Sequence, residues 1–174
     1  MRDLDLKALK LTDMPCDGSG YIDLKGDFNL KTKTYNANVT LTDLDWNIDG
    51  EKIFSDQTDL RFNSDNNSIS AYYNDESTYI NFSAPHSIND FMDRLDKCSD
   101  IAKRQYKKLD VDVNEVCDAL PRFDMDLNMG PNGIIQRMLG KWDIDFRNLQ
   151  ADLHNDSTLH GHLYGHTLSK GNNA

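Results

Sequence analysis

Four histidines fall close together late in the chain: His154, His160, His162 and His166. His160 and His162 occupy alternate positions, which on a strand share one face, and neutral imidazoles so placed can chelate zinc. His154 precedes a turn, however, and no cysteine lies near, so exposed histidines on a terminal strand are the plainer reading. The three cysteines, Cys16, Cys98 and Cys117, fit neither a disulfide framework nor a zinc pattern, being odd in number and irregular in spacing. Cys98 and Cys117 fall in one helical region and could pair, but two buried free thiols are expected. Nucleophilic catalysis needs a Ser or Cys beside a His and an orienting acid. No Gly-x-Ser-x-Gly elbow, papain-like cysteine context or Gly-rich phosphate loop occurs. Among 26 Asp and 3 Glu no glycosidase pair stands out. The expectation is a chain that is not an enzyme, with no catalytic residue, metal or cofactor.

The aspartates follow a pattern. Asp-apolar-Asp-apolar occurs as Asp3-Leu4-Asp5-Leu6, Asp43-Leu44-Asp45-Trp46, Asp124-Met125-Asp126-Leu127 and Asp143-Ile144-Asp145-Phe146, with Ile22-Asp23-Leu24 a partial copy. On a strand this puts the carboxylates on one face and the apolar groups on the other. Such alternation is ordinary for half-buried antiparallel strands with a solvated acidic face. A calcium loop of the Asp-x-Asp-x-Asp-Gly kind is absent.

The elements that must carry these residues follow from composition and period. Asp and Asn favour caps and turns, Glu favours helix, and 26 Asp with 17 Asn against 3 Glu predict a turn-rich β protein. The 174 residues suffice for one domain or for one piece of something longer. A net charge of -10 without a dense Lys/Arg stripe disfavours nucleic acid, whose affinity comes from neutralised phosphates. No stretch approaches the ~20 apolar residues that span a bilayer, and residues 1–20 lack a signal-peptide pattern. The abrupt start in a strand-like pattern at Arg2 is what a segment cut from a longer chain would show.

Residues 1–84 alternate, predicting six antiparallel strands at about 3–12, 19–30, 35–49, 52–63, 68–74 and from Ile80 to Ala84. In the third, Tyr35, Ala37, Val39 and Leu41 are odd-numbered but Leu44, Trp46 and Ile48 even, so a bulge near Thr42-Asp43 is expected to restore one apolar face. Asp49-Gly50 is a hairpin dipeptide. Residues 85–121 read as a helical insertion. One helix is capped by Ser87 and runs to about Lys107, with Ile88, Phe91, Met92, Leu95, Cys98, Ile101 and Ala102 on one face. A second is capped by Asp112, with Val116, Cys117 and Leu120 inward, and Pro121 ends it. Residues 122–168 return to sheet, interrupted by one or two helical turns at Ile134–Leu139, and 169–174 read as a frayed tail. The fold class is mainly β (α+β): a curved, up-and-down antiparallel sheet with a two-helix insertion packed on its apolar face.

Phrases such as Gly26-Asp27-Phe28-Asn29-Leu30, Asp43-Leu44-Asp45-Trp46, Ala119-Leu120-Pro121-Arg122-Phe123-Asp124 and Lys141-Trp142-Asp143-Ile144-Asp145-Phe146 make most of the chain resemble an interior segment of TamB in the AsmA-like cell-envelope family, of the Bacteroidetes type. The resemblance implies a long periplasm-spanning protein anchored in the inner membrane, a curled β "taco", and an outer-membrane barrel of the TamA type as partner. It also implies roles in outer-membrane assembly and in phospholipid transport along an apolar groove. The helical stretch from Ser87 to Leu120 departs from a plain taco. Candidate groove residues are Leu4, Leu6, Ile22, Leu24, Phe28, Val39, Leu44, Trp46, Ile48, Phe82, Met125, Leu127, Ile144 and Phe146. Phospholipid or acyl chains are the expected ligand, and open sheet edges imply edge-to-edge self-association. The alternative is a secreted or cell-surface binding module with a closed core, for example carbohydrate-binding through Tyr72, Tyr73 and Tyr79.

Overall fold

The computed structural model describes residues 16–48, 50–109, 112–131, 133–140, 144–156 and 158–170, with the backbone alone at 16–17, 48, 51, 138, 140, 144–147 and 167–170. Among these residues eight strands form one curved, open sheet in sequence order: β1 (Cys16–Asn29), β2 (Thr34–Ile48), β3 (Glu51–Ser64), β4 (Ile69–Asn74), β5 (Thr78–Ala84), β6 (Phe123–Met129), β7 (Ile144–Asn155) and β8 (Leu159–Lys170). Every neighbouring pair is antiparallel, as the short connections require. The expected strand at 3–12 lies outside the described residues. The tail expected to fray from Ser169 is still strand to Lys170, because β8 pairs along its whole length with β7.

Cross-strand partners share a face, so the register traces complete rows across the sheet. One row runs Leu24, Val39, Leu60, Tyr73, Ile80, Leu127, Ala151, Leu163. The next runs Gly26, Ala37, Phe62, Ala71, Phe82, Met125, Leu153, Gly161. The row between them is polar and runs Lys25, Asn38, Arg61, Tyr72, Asn81, Asp126, Asp152, His162 on the opposite face. One face is therefore apolar over all eight strands and the other is hydrophilic.

The bulge in β2 is present. The β1–β2 register slips between Ser19 and Tyr21, and Asp43 takes a left-handed backbone with φ 51°. Leu44 is thereby turned inward and is 4% exposed. β3 changes parity at the same level: Ile53 is buried, Phe54 is half exposed, and the inward set then continues at Ser55 and Thr58. The hydroxyls of Ser55 and Thr58 bond each other at 3.0 Å, and Ser55 also donates to Gln57 O, so this irregular, buried step keeps its polar atoms partnered. Gly18 and Gly20 lie beneath the inward side chains of β2. A Cβ on Gly18 would stand 2.3 Å from Trp46 Cδ1, and one on Gly20 2.9 Å from Leu44 Cδ2.

Among the described residues three helices join the strands. α1 (Ile88–Lys108) starts where Ser87 Oγ accepts from Asp90 N, and α2 (Val113–Ala119) where Asp112 accepts from Asn114 N and Glu115 N. The capping box at Ser87 is only half formed, because the Asp90 carboxylate turns to His86 and Arg94. Phe91 meets Phe82 edge-on at 5.4 Å, and Phe82 stacks on Phe123 at 6.2 Å, which docks the start of α1 on the apolar face. Two expected core positions on α1 are corrected: Met92 and Ala102 are exposed, since most of the helix projects beyond the sheet. The buried residue is Gln105, whose amide bonds Asp112 N, Asp112 O and Glu115 and so ties α1 to α2. Cys98 and Cys117 are free thiols and half-buried, with Cys98 Sγ 3.8 Å from Val116 O.

α3 (Ile134–Gly140) fills a bay in the sheet. β4, β5 and β6 have six or seven residues against 14 in β3 and 12 in β7. β4 pairs only with Asp59–Ser64 of β3, and β6 only with Leu149–Asn155 of β7, which leaves the first part of each long strand without a strand partner on that side. α3 lies against both, and Arg137 donates to Lys52 O at 3.1 Å. The buried Asp75 carboxylate anchors its start, accepting from Ile134 N and Tyr73 Oη on Oδ2 and from Ser77 N and Thr78 N on Oδ1.

Candidate functional site

The helices stand at opposite strand ends, and the apolar face between them stays open. α1 and α2 follow β5 and precede β6, at the end marked by Ala84 and Phe123, whereas α3 packs beside the β4–β5 turn. Between these ends a cleft of about 440 Å³ is lined by Ala37 and Val39 of β2, Leu60 and Phe62 of β3, Ala71 and Tyr73 of β4 and Ile80 of β5, with Arg61 and Tyr72 at its border. That size falls within the range of small-molecule sites, and its lining is apolar. The two small side chains, Ala37 and Ala71, alternate with Phe62 and Phe82 along one row, so the depth of the cleft is set by where the sequence is small.

Tyr73 lines the cleft with a ring that carries a polar group. Its hydroxyl donates to Asp75 Oδ2 at 2.7 Å. Burial, reinforced by that bond and by the carboxylate's charge, raises the phenol well above its ordinary value, so it stays protonated and presents its ring, not a charge, to the cleft.

The candidate groove residues fall into groups. Val39 lines the cleft. Ile22, Leu24 and Phe28 of β1 pair with Leu41, Val39 and Tyr35 on the same face and are exposed by 47%, 64% and 62%, extending an apolar surface to the sheet edge. Met125 and Leu127 continue the rows through β6, half-buried. Phe82 shares the face but is covered by Phe91 and Phe123. Leu44 is packed in the core at the α3 end, so its assignment to an open groove is corrected, and Trp46 leans over Gly18 at that same end. Ile48, Ile144 and Phe146 are in strands, paired with Cys16 and Glu51, with Lys170 and with Leu168; their side chains lie outside the described residues. Leu4 and Leu6 also lie outside them. The cleft residues absent from that set are Ala37, Leu60, Phe62, Ala71, Tyr73 and Ile80.

On the hydrophilic face His160, His162 and His166 are exposed. His154 Nδ1 bonds the Asp124 carboxylate, and its Nε2 lies 3.5 Å from Asp156. The bond to Asp124 raises the His154 pKa above the ordinary imidazole value. Among the described residues no group of three or more His, Cys, Asp or Glu is placed to hold a metal ion, and no helix is long and apolar enough to cross a membrane.

Among the described residues the chain forms a curved, open antiparallel sheet with an apolar cleft on one face. Comparison with protein-family models, with curated proteins and with solved structures gave no match.

Proposed function

We propose that the chain binds acyl chains along its apolar sheet face, as a non-enzymatic segment of a TamB-like, AsmA-like envelope protein that moves or holds phospholipid. The observation that carries this reading is the unbroken apolar row from Leu24 to Leu163, which leads from one sheet edge through the cleft to the other, with its two ends 64% and 73% exposed. A closed core would hide such a row throughout; here Ala151 alone of its members is buried, and α1 covers the neighbouring row at Phe82. Each methylene withdrawn from water contributes about 0.8 kcal/mol, so about ten would supply ~8 kcal/mol towards binding. A chain lying across the strands would contact one residue of each along such a row, and the apolar rows recur at every second residue, which is the periodicity the sequence provides.

On this reading the parent protein lies in the periplasm, is anchored in the inner membrane and meets an outer-membrane barrel of the TamA type. Among the described residues β1 and β8 are the edge strands of the sheet, and on this reading such edges serve as junctions for further strands or for a second copy. The test is photocrosslinking with a diazirine-bearing fatty acid, followed by peptide mapping. Label on the segments holding Ala37–Val39, Leu60–Phe62 and Ala71–Ile80 is expected. Label confined to the exposed helical tip at Tyr106 and Leu109, or spread evenly over the surface, would refute the cleft as the site.

A further inference from the structure

A second cleft lies on the opposite, hydrophilic face, with a volume of about 360 Å³, built across β5 to β8. Its floor is two adjacent cross-strand rows. One is Tyr79, Asn128, Gln150 and Tyr164; the other contributes Asp126, Asp152 and His162. The first row sets two aromatic rings at its ends and two amides between them. Strands three apart are separated by about 14 Å, so the rings bracket a space the length of a short oligosaccharide.

The arrangement is costly as plain surface. Asp126 and Asp152 are direct cross-strand partners, and like charges so placed destabilise a sheet. Tyr79 and Tyr164 are 38% and 56% exposed, Tyr79 meeting Tyr72 edge-on at 5.7 Å, and they leave aromatic surface in water on a side that is mainly polar and charged. A ligand rich in hydroxyls answers each feature. Its O–H groups donate to the carboxylates, the amides both donate to and accept from it, and the apolar C–H faces of sugar rings stack on tyrosine.

We infer that the hydrophilic face of β5–β8 is a binding site for a neutral oligosaccharide, held between Tyr79 and Tyr164 over the Asp126–Asp152 pair. The site lies on the other face of the sheet and shares none of the residues lining the acyl cleft, although Leu127 and Ala151 of the apolar row also border it.

The test is a titration of the isotope-labelled chain with maltotriose, cellotriose and triacetylchitotriose, followed by amide shifts. At least one sugar is expected to move resonances of β5–β8 around Asn128, Gln150 and Asp152, to the same extent at low and high salt. Tyr164→Ala, on an exposed edge-strand position that should leave the fold intact, is expected to weaken that sugar about tenfold, and Asp152→Ala likewise. Absence of shifts with all three sugars overturns the inference, as does a response unchanged in Tyr164→Ala. Spermidine binding there that disappears at high salt, with no sugar response, would make the cleft a cation site and also overturn it.

Discussion

Replacing Asp75 by Asn removes one negative charge and half of a carboxylate's accepting capacity at a place where four donors converge. Ser77 N and Thr78 N reach Oδ1 at 2.9 and 2.6 Å, while Tyr73 Oη and Ile134 N reach Oδ2 at 2.7 and 2.9 Å. Asparagine keeps the first pair through its amide oxygen, but its NH2 then faces the second pair. The tyrosine hydroxyl can rotate to accept; the Ile134 N–H cannot. One charge-assisted bond worth about 1.5–3 kcal/mol is lost, and one buried donor is orphaned at about 1–3 kcal/mol, so Asp75→Asn should destabilise by roughly 2.5–6 kcal/mol. With a urea slope of about 2 kcal/mol/M the midpoint should fall by about 1–3 M. Hydrogen exchange at Ile134 should accelerate as the start of α3 loosens. Asp65→Asn is the control, because all three bonds to Asp65 use Oδ1 and survive the change. A midpoint for Asp75→Asn as close to wild type as that of the control would refute the claim that this carboxylate holds α3 in the bay.

Gln105→Ala should free α2 from α1, lowering exchange protection across Val113–Ala119 while the sheet amides stay protected, because only the hairpin uses that amide. Gly161→Val should lower Tm by several degrees, since a Cβ there stands 2.4 Å from Leu153 Cδ2 and 2.7 Å from the Asp152 carbonyl. The His154 pKa is raised in the fold by Asp124, so its stabilising contribution is complete below the unfolded value of about 6.5 and disappears as pH rises through the folded value. Imidazole NMR should show a midpoint above the ordinary value that falls in Asp124→Asn, with Asp156 still raising it in part, and an unmoved midpoint in that variant would contradict the pairing.

Much of the fold was legible because alternation is a local signal. Five strands before Pro85 and both caps, Ser87 and Asp112, follow from residue types alone, and the parity change between Leu41 and Leu44 marked the bulge at Asp43. The matching step in β3 was hidden: Ile53 and Phe54 are adjacent, Ser55 and Thr58 are polar yet buried, and only their pairing with Leu44 and Leu41 makes them inward. That step is also why Leu60 and Phe62 were missed as cleft residues. Which part of the apolar face stays open depends on strand length and on the docking of α1 and α3, both of which are tertiary. Leu44 and Val39 have the same chemistry and the same facing, but α3 stands at the end of the sheet where Leu44 lies. Gln105 gave no periodic signal, because a helix that projects from its sheet buries what meets the second helix.

The most direct test of the central claim is native mass spectrometry of the chain after incubation with phospholipid vesicles, compared with Ala71→Trp. That change fills the cleft with apolar bulk at a half-buried position, and far-UV circular dichroism checks that the sheet persists. The acyl-chain account predicts lipid-bearing masses for the wild type and their loss in the folded variant. A clean unliganded mass for the wild type, or equal lipid on both, would contradict it.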